Sequence, residues 1–221
     1  MRLLLSALVK FVLGILLVGA LLFLPAGTLA YSGAWLFLAL LFIPMLIMGV
    51  VMLCKAPDLL RRRLDGKEKA ATQRGVVGFS ALMFLGGFIV SGLDFRFGWS
   101  SVPAWCVVAA AVLFEAGYAM YAEVMRENAY LSRTVEVQSG QTVVSTGLYG
   151  VVRHPMYLAT LLMFLPMPLI LGSFWGLGPF AIYPPLIIVR LLNEEKLLSA
   201  ELEGYVEYKV KVKFRLIPFI W

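Results

Sequence analysis

The 221-residue sequence has little charge, few cysteines and a single histidine. Charged residues make up 14% of it and hydrophobic residues 61%, and its mean hydropathy is +0.89. So low a charge content excludes an ordinary soluble domain. The two cysteines, Cys54 and Cys106, are isolated within apolar runs, without a CxxC pair or metal-ligand spacing. We therefore expect them to be small core residues, and we expect no metal site.

Apolar runs of about twenty residues recur along the chain, which is the length that a helix needs to cross a bilayer. The alternating pattern of a barrel strand is missing. We therefore predict an all-α, polytopic integral membrane bundle of five or six transmembrane helices. The predicted spans are 3–24, 34–54, 75–93, 102–124, 156–172 and 179–193. Because prolines and glycines interrupt the last two spans, we expect these to form a short helical hairpin.

The basic residues predict the orientation of the bundle. When the N-terminus is placed in the cytoplasm, all of the 19 lysines and arginines except Arg96 fall on the cytoplasmic side. The positive-inside rule then places both termini in the cytoplasm. The net charge of +6 is explained by contacts with anionic headgroups, and no nucleic-acid partner is expected. A cleaved signal peptide ending at Ala30 is the rival interpretation, but its removal would leave an odd number of crossings.

The chain divides into two regions by composition. Residues 1–124 form four long helices with few polar residues, whereas residues 125–221 contain a polar loop, the hairpin and an amphipathic tail. We expect that tail to lie along the membrane surface. Glu115 either lines a site or pairs within the bundle, because a carboxylate at membrane depth needs polar surroundings. Glu123 and Arg126, three residues apart, predict an ion pair at the interface.

The single histidine, His154, lies in the stretch "YGVVRHPMY", residues 149–157. By itself this stretch is typical of a helix that begins at an interface. Pro155 suits the first helical turn, and Arg153 can contact headgroups. However, a flexible glycine, Gly147, precedes the stretch. The backbone N–H groups of the loop and the unpaired N–H groups in the first turn of the helix would then face one small volume. Together with a histidine and two tyrosines, they favour an anionic or zwitterionic small molecule.

A second polar group follows at the end of the hairpin, in "VRLLNEE". Arg190 and Glu194 are four residues apart and share one helical face, so an exposed ion pair is their simplest interpretation. Because the hairpin is antiparallel, residues 153–157 and 190–194 lie at the same membrane depth. An intramembrane arginine needs a partner or a polar cavity. The two segments together predict one functional pocket at the cytoplasmic end of the bundle.

Three stretches resemble the isoprenylcysteine carboxyl methyltransferase family in their order and spacing: "STGLYGVVRHPMYLA", "RLLNEEKLL" and "YVEYKVKVKFRLIPFI". The upstream "NAYLSRTVEVQSGQTVVSTG" is similar to its bacterial members. The resemblance covers residues 128–219, whereas the first 124 residues agree only in being hydrophobic helices. It implies an S-adenosylmethionine-dependent methyltransferase, in a prokaryotic inner membrane with the active site facing the cytoplasm. The sequence contains no Rossmann fingerprint, which agrees with a membrane-embedded cofactor site.

The resemblance also implies roles for individual residues. Arg190 would be the catalytic and substrate-binding residue that holds the substrate carboxylate. The implied cofactor contacts are Gln141, Thr142, Val143, Val144, Tyr149, His154, Pro155, Met156, Tyr157 and Glu194. Gln141 departs from the histidine of eukaryotic members, and Gln138 is the nearest candidate for a glutamine that they use further upstream.

The predicted reaction is O-methylation of a carboxylate on a lipophilic substrate that enters from the bilayer. An ionised carboxylate needs no general base, so alignment of the two reactants can supply much of the catalysis. N-methylation of a phospholipid amine is an alternative, with Glu194 or His154 as the base. A steroid-reductase-like NADPH enzyme and a non-catalytic membrane scaffold or transporter are more distant alternatives.

Overall fold

The computed structural model describes residues 2–64, 71–131 and 137–221, and these residues contain helices and no strands. The helices are α1 (Arg2–Ala26), α2 (Ser32–Lys55), α3 (Pro57–Leu64), α4 (Ala71–Phe97), α5 (Ala104–Glu127), α6 (Pro155–Phe164), α7 (Met167–Ile170), α8 (Leu177–Phe180), α9 (Tyr183–Glu201) and α10 (Tyr205–Lys211). A short 3-10 helix spans Gly147–Gly150. The predicted all-α class is therefore confirmed. Lys67, Lys69 and Arg133, which belong to the predicted cytoplasmic set, lie outside the described residues.

Four helices are long and apolar enough to cross a membrane: α1, α2, α4 and α5. The shortest of them has 24 residues, or about 36 Å, which exceeds the roughly 30 Å of a hydrocarbon core. They coincide with the first four predicted spans. The segment between the second and third predicted spans contains α3, and Leu59 and Leu60 are buried against the bundle.

The last two predicted spans form a hairpin in which α6, α7 and α8 are short, with 10, 4 and 4 residues, whereas the returning helix α9 has 19. Pro166 follows the end of α6, and Gly172 adopts a φ of +76° in the turn beyond α7. The two arms of the hairpin are antiparallel. Tyr157 contacts Glu194 near the open end of the hairpin, and the Phe164 ring lies 5.0 Å from the Tyr183 ring near the turn. The helix α9 continues to Glu201 instead of ending at residue 193, so its last turns extend past the predicted span.

A close contact between α5 and α6 positions the hairpin against the long helices. A Cβ at Gly117 would lie 2.9 Å from the carbonyl oxygen of Ala159 and 2.8 Å from Cγ of Met163. Only glycine therefore allows the two backbones to approach this closely, as small residues do in membrane bundles. The rings of Phe37 and Phe114, 6.0 Å apart, fill the adjacent core between α2 and α5.

Three side-chain expectations outside the site have different outcomes. Glu123 and Arg126 form the predicted exposed ion pair, with 2.8 Å between Arg126 Nε and Glu123 Oε2. Cys106 is half-buried but Cys54 is exposed, so the expectation of a core position is wrong for Cys54. In a membrane bundle an apolar run faces lipid as well as the core, so hydropathy does not distinguish the two. Glu115 is half-buried and lines neither of the two clefts described below.

A buried polar cluster closes the end of the bundle that carries Arg96. The carboxylate of Asp94, 1% exposed, accepts hydrogen bonds from the backbone N–H of Ser100 at 2.7 Å and the hydroxyl of Ser173 at 2.5 Å. The hydroxyl of Tyr31 donates to the carbonyl oxygen of Leu171 at 2.6 Å. The bond from Ser173 ties the hairpin turn to α4, and the bond from Tyr31 ties the turn to the residue before α2. Asp94 was not among the residues predicted from the sequence.

Candidate active site

The loop before α6 is held by the end of α5. Gly147 has a φ of +50°, and a Cβ there would lie 1.4 Å from Oε1 of Glu127, so the position requires glycine. The backbone N–H of Leu148 donates to Glu127 Oε2 at 3.1 Å. Asn128 donates to the Tyr149 hydroxyl at 2.9 Å. Burial raises the pKa of Tyr149 above its ordinary value, so the buried phenol stays protonated at neutral pH.

Pro155 begins α6, as the sequence predicted. The backbone N–H groups of Arg153 and His154, just before it, donate to the carbonyl oxygens of Phe214 and Arg215 at 2.9 Å each. The C-terminal tail therefore lies beside the helix start. The His154 side chain makes no capping bond; it is buried, and its ring stacks on Tyr157 at 5.7 Å between centroids.

A buried carboxylate, that of Glu195, joins α9 to the helix start and the tail. Its oxygens lie 2.6 Å from Arg153 Nε, 3.0 Å from Arg215 Nε and 3.4 Å from His154 Nε2. Burial by itself raises the pKa of Glu195, but the nearby His154 ring and the hydrogen bonds from Arg215 and Arg153 outweigh it and lower the pKa to about 2. The carboxylate is therefore ionised at neutral pH, and it compensates the charge of Arg153.

The adjacent Glu194 faces a different partner. The hydroxyl of Tyr157 donates to the Glu194 carboxylate and accepts a hydrogen bond from Arg190 Nε at 3.1 Å. A tyrosine from α6 thus lies between Arg190 and Glu194, the two charged residues of α9 that the sequence placed on one helical face. The neighbours in sequence, Glu194 and Glu195, point about 100° apart around the helix, which explains their separate roles.

These groups surround a first cleft that is partly open to solvent. All the predicted cofactor contacts except Pro155 line it, and so does Arg190. The lining residues are Asn128, Tyr130, Leu131, Gln141, Thr142, Val143, Val144, Tyr149, Arg153, His154, Met156, Tyr157, Arg190, Glu194, Leu197, Leu198, Leu202, Tyr205 and Tyr208. Pro155 instead sets where α6 begins. The structure thus brings the predicted residues together, and their roles as cofactor contacts remain predictions.

Sequence reasoning missed the contribution of the tail to this cleft. Tyr205 and Tyr208 of α10 are buried against it, whereas Val206 and Val210 are exposed on the other side. The Tyr208 hydroxyl donates to the carbonyl oxygen of Tyr149 at 2.7 Å. The "YVEY" stretch, in which the two tyrosines are three residues apart, was visible in the sequence, but this spacing does not indicate which surface the two rings cover. One face of the amphipathic tail therefore closes the cleft.

The outer loop of the cleft also has internal support. The side-chain oxygen of Gln141 accepts a hydrogen bond from the backbone N–H of Gln138 at 2.9 Å, and the Tyr130 hydroxyl donates to the Gly140 carbonyl oxygen at 2.9 Å. Gln138 therefore positions Gln141, and it is not itself among the residues that line the cleft.

A second, more open cleft meets the first at Met156, Tyr157 and Arg190, which line both. Its other lining residues are mostly apolar or aromatic and come from α3, α4, α5, α6 and α9. They are Arg63, Val76, Val77, Ser80, Ala81, Phe84, Tyr121, Thr160, Phe164, Tyr183 and Ile187. The arrangement joins a cleft of mixed polar and apolar lining to a mostly apolar one, and Arg190 is the arginine that lines both.

The similarity of this chain to known proteins lies in the part that forms the first cleft. No curated protein matches the chain significantly. Residues 105–202, which run from α5 to the end of α9, match the family model of the phospholipid methyltransferases. Methyltransferases generally use S-adenosylmethionine, and membrane methyltransferases act on lipid-type substrates. Over these residues the chain is similar to the phospholipid methyltransferases, and the match indicates a membrane methyltransferase.

Proposed function

We propose that the protein is an S-adenosylmethionine-dependent carboxyl O-methyltransferase that acts on a lipophilic substrate. The observation that carries the proposal is the junction of the two clefts at Tyr157 and Arg190. The first cleft is partly open to solvent and combines charged and polar groups with apolar ones, which suits a water-soluble methyl donor, whereas the mostly apolar second cleft suits an acceptor from the bilayer. The two reactants would then meet at an arginine, whose planar fork binds a carboxylate well.

The residues of the first cleft fit S-adenosylmethionine, which carries an amino acid end, a nucleoside and a sulfonium. Among the described residues, the Tyr205 hydroxyl is buried without a hydrogen-bond partner and lines the cleft, so it can bind a polar group of a ligand. Glu194 supplies a carboxylate for a cationic group. Leu197, Leu198 and Leu202 supply an apolar surface for the adenine. When bound, this cofactor supplies an electrophilic methyl group.

The roles of the chain's own residues follow from their contacts. Arg190 binds and orients the acceptor carboxylate, and the Tyr157 hydroxyl fixes the Arg190 side chain through the 3.1 Å hydrogen bond. Glu194 accepts from Tyr157, which keeps that hydroxyl oriented with its oxygen toward Arg190. Since an ionised carboxylate is already nucleophilic, these residues need only align it and exclude water from it.

A second candidate is N-methylation of a phospholipid amine, which the match to the phospholipid methyltransferases favours. An amine is protonated at neutral pH and must lose a proton before it attacks. Glu194 is then the residue to accept the proton, because its carboxylate lines the first cleft and accepts a hydrogen bond from Tyr157, which lines both clefts.

The two candidates are distinguished by the chemistry of the product. Membranes that contain the protein are incubated with S-adenosylmethionine tritiated in the methyl group, and the labelled lipid fraction is treated with mild base. A carboxyl ester releases tritiated methanol, which is the expected result. Base-stable label in the lipid would contradict the carboxylate proposal and support the amine.

The site assignment is tested separately by titrating the detergent-purified protein with S-adenosylhomocysteine in a calorimeter. We expect binding to the wild type and loss of affinity in His154→Ala and Glu194→Ala. The control is Glu201→Ala, at an exposed position of the same helix α9. Equal binding in all four proteins would refute the site, and no binding to the wild type would refute the use of this cofactor.

A further inference from the structure

The second cleft contains a charged residue from a helix outside the matched residues 105–202. Arg63 of α3 lines this cleft, and its guanidinium carbon lies 5.3 Å from the centroid of the Tyr121 ring of α5. The burial of Leu59 and Leu60 fixes α3 against the bundle. Arg63 is thus held at the cleft by a cation–π contact and by the packing of its own helix.

Arg61 of the same helix has different surroundings. It forms an exposed ion pair with Asp58, at 2.8 Å, and its side chain is 65% exposed. It does not line either cleft. The short helix therefore directs one arginine toward the apolar cleft and another toward the surroundings, so the two provide a matched pair for experiment.

The charged side chains among the described residues that line the second cleft are both basic. Arg63 and Arg190 are its charged lining residues, and no aspartate or glutamate is among the described residues that line it. The remaining lining is largely apolar, with Phe84 and Phe164 packed edge to face at 4.9 Å. A cationic group beside an apolar cleft complements an amphiphile with an oxyanion and a hydrocarbon chain, because charge and chain are then both accommodated.

We propose that Arg63 is a specificity-determining residue that binds an oxyanion, a carboxylate or phosphate, of an amphiphilic acceptor in the second cleft. The acceptor's hydrocarbon chain lies against the apolar wall formed by Phe84, Phe164 and Ile187, and its methyl-accepting end lies toward Arg190. This inference rests on the proposed function, and it deepens it by naming anionic amphiphiles as the substrate class. Selectivity for the acceptor's oxyanion then comes from α3, which lies outside the matched residues 105–202.

The test measures equilibrium binding of radiolabelled oleate, oleyl phosphate and oleyl alcohol to the full chain in nanodiscs of zwitterionic phosphatidylcholine. The wild type is compared with Arg63→Gln, Arg63→Lys and Arg61→Gln. Loss of one charge-assisted contact predicts that Arg63→Gln weakens binding of an oxyanion amphiphile about tenfold or more. Binding of oleyl alcohol should not change. Comparison of oleate with oleyl phosphate identifies which oxyanion Arg63 prefers.

The controls separate recognition from a general electrostatic effect. Arg63→Lys, which keeps the charge, should weaken oxyanion binding less than Arg63→Gln, and Arg61→Gln should bind like the wild type. Equal losses in Arg63→Gln and Arg61→Gln would overturn the inference, as would an equal loss for oleyl alcohol. Absence of saturable oleate and oleyl phosphate binding to the wild type would overturn it too.

The same samples are titrated with S-adenosylhomocysteine. We expect Arg63→Gln to bind it like the wild type, which also shows that the variant is folded. A wild type that does not bind S-adenosylhomocysteine contradicts the proposed function, whereas unchanged oxyanion binding in Arg63→Gln contradicts only the role of Arg63.

Discussion

Arg153 and Glu195 form a buried ion pair, with 2.6 Å between Arg153 Nε and Glu195 Oε1 and with side chains 7% and 8% exposed. The pair joins the start of α6 to α9. The same guanidinium donates to the carbonyl oxygens of Val212 and Lys213 at 2.9 and 3.0 Å. One arginine therefore holds three segments around the first cleft, and the stability of the cleft depends on its charge being compensated.

Glu195→Gln should destabilise the protein and weaken S-adenosylhomocysteine binding. Removal of one partner from a buried ion pair leaves an uncompensated charge and typically costs about 3–5 kcal/mol. Thermal unfolding in detergent and calorimetric titration measure the two effects. Glu201→Gln, at an exposed position at the end of α9, should change neither. An unfolding temperature of Glu195→Gln equal to that of the wild type would contradict the role of the pair.

The stability supplied by Glu195 should depend on pH in the acid range. Its pKa is lowered from 4.5 to about 2 in the folded protein, so the folded state favours the ionised carboxylate. The contribution is fully present above pH 4.5 and is lost as the pH falls from 4.5 through about 2. The measurement is the unfolding temperature of the wild type and of Glu195→Gln at a series of pH values from neutral to acid. The difference between them should shrink over this window, and a constant difference would count against the prediction.

Tyr157→Phe should lower the rate of methyl transfer at saturating cofactor by about 10- to 100-fold, which corresponds to one lost hydrogen bond to a charged group. The hydroxyl lies between Arg190 and Glu194, and its removal frees both side chains from their shared partner. The fold should survive, because the ring still stacks on His154. Incorporation of tritiated methyl groups into membrane lipid measures the rate.

Tyr31→Phe is the matched control for that variant. It removes a buried hydroxyl that donates to Leu171 at the opposite end of the bundle. We expect it to lower the unfolding temperature while leaving the transfer rate unchanged. Equal loss of rate in both variants would show that the Tyr157 effect is one of stability alone.

Gly147→Ala should weaken S-adenosylhomocysteine binding at least about tenfold, because the added methyl group must displace the Glu127 carboxylate that supports the loop. Gly140→Ala separates this clash from backbone strain. Gly140 also has a positive φ, +72°, but an added Cβ meets nothing within 4 Å. The Gly140 variant carries the strain alone, a cost of about 1–2 kcal/mol, and should bind nearly like the wild type. Titration of both variants checks the prediction, and equal affinities would contradict it.

Several features of the fold and the site followed from the sequence. Runs of apolar residues predicted the four long helices, because a bilayer leaves the backbone no partner except itself. Pro155 predicted the start of α6, and the broken runs after it predicted the hairpin. The antiparallel hairpin then predicted that Tyr157 and Arg190 are neighbours, because two short arms joined by a turn bring their distant ends together.

The remaining features depended on contacts between segments that are far apart in the chain. Glu195 differs from Glu194 only in the direction it faces, and its buried role depends on Arg153 and Arg215. The tail covers the cleft because of the pairing of residues 153 and 154 with residues 214 and 215. Neither of these contacts leaves a local pattern.

The sequence by itself determined that the chain is a helical membrane protein and where its polar pocket begins, since hydropathy, proline and glycine act locally. Only the tertiary structure decided which charges are buried, that Tyr205 and Tyr208 line the first cleft and that Arg63 reaches a second cleft. The physical reason is that in a bilayer both lipid and protein accept apolar side chains. The direction that each residue faces is therefore fixed by packing and hydrogen bonding between helices, and not by hydrophobicity.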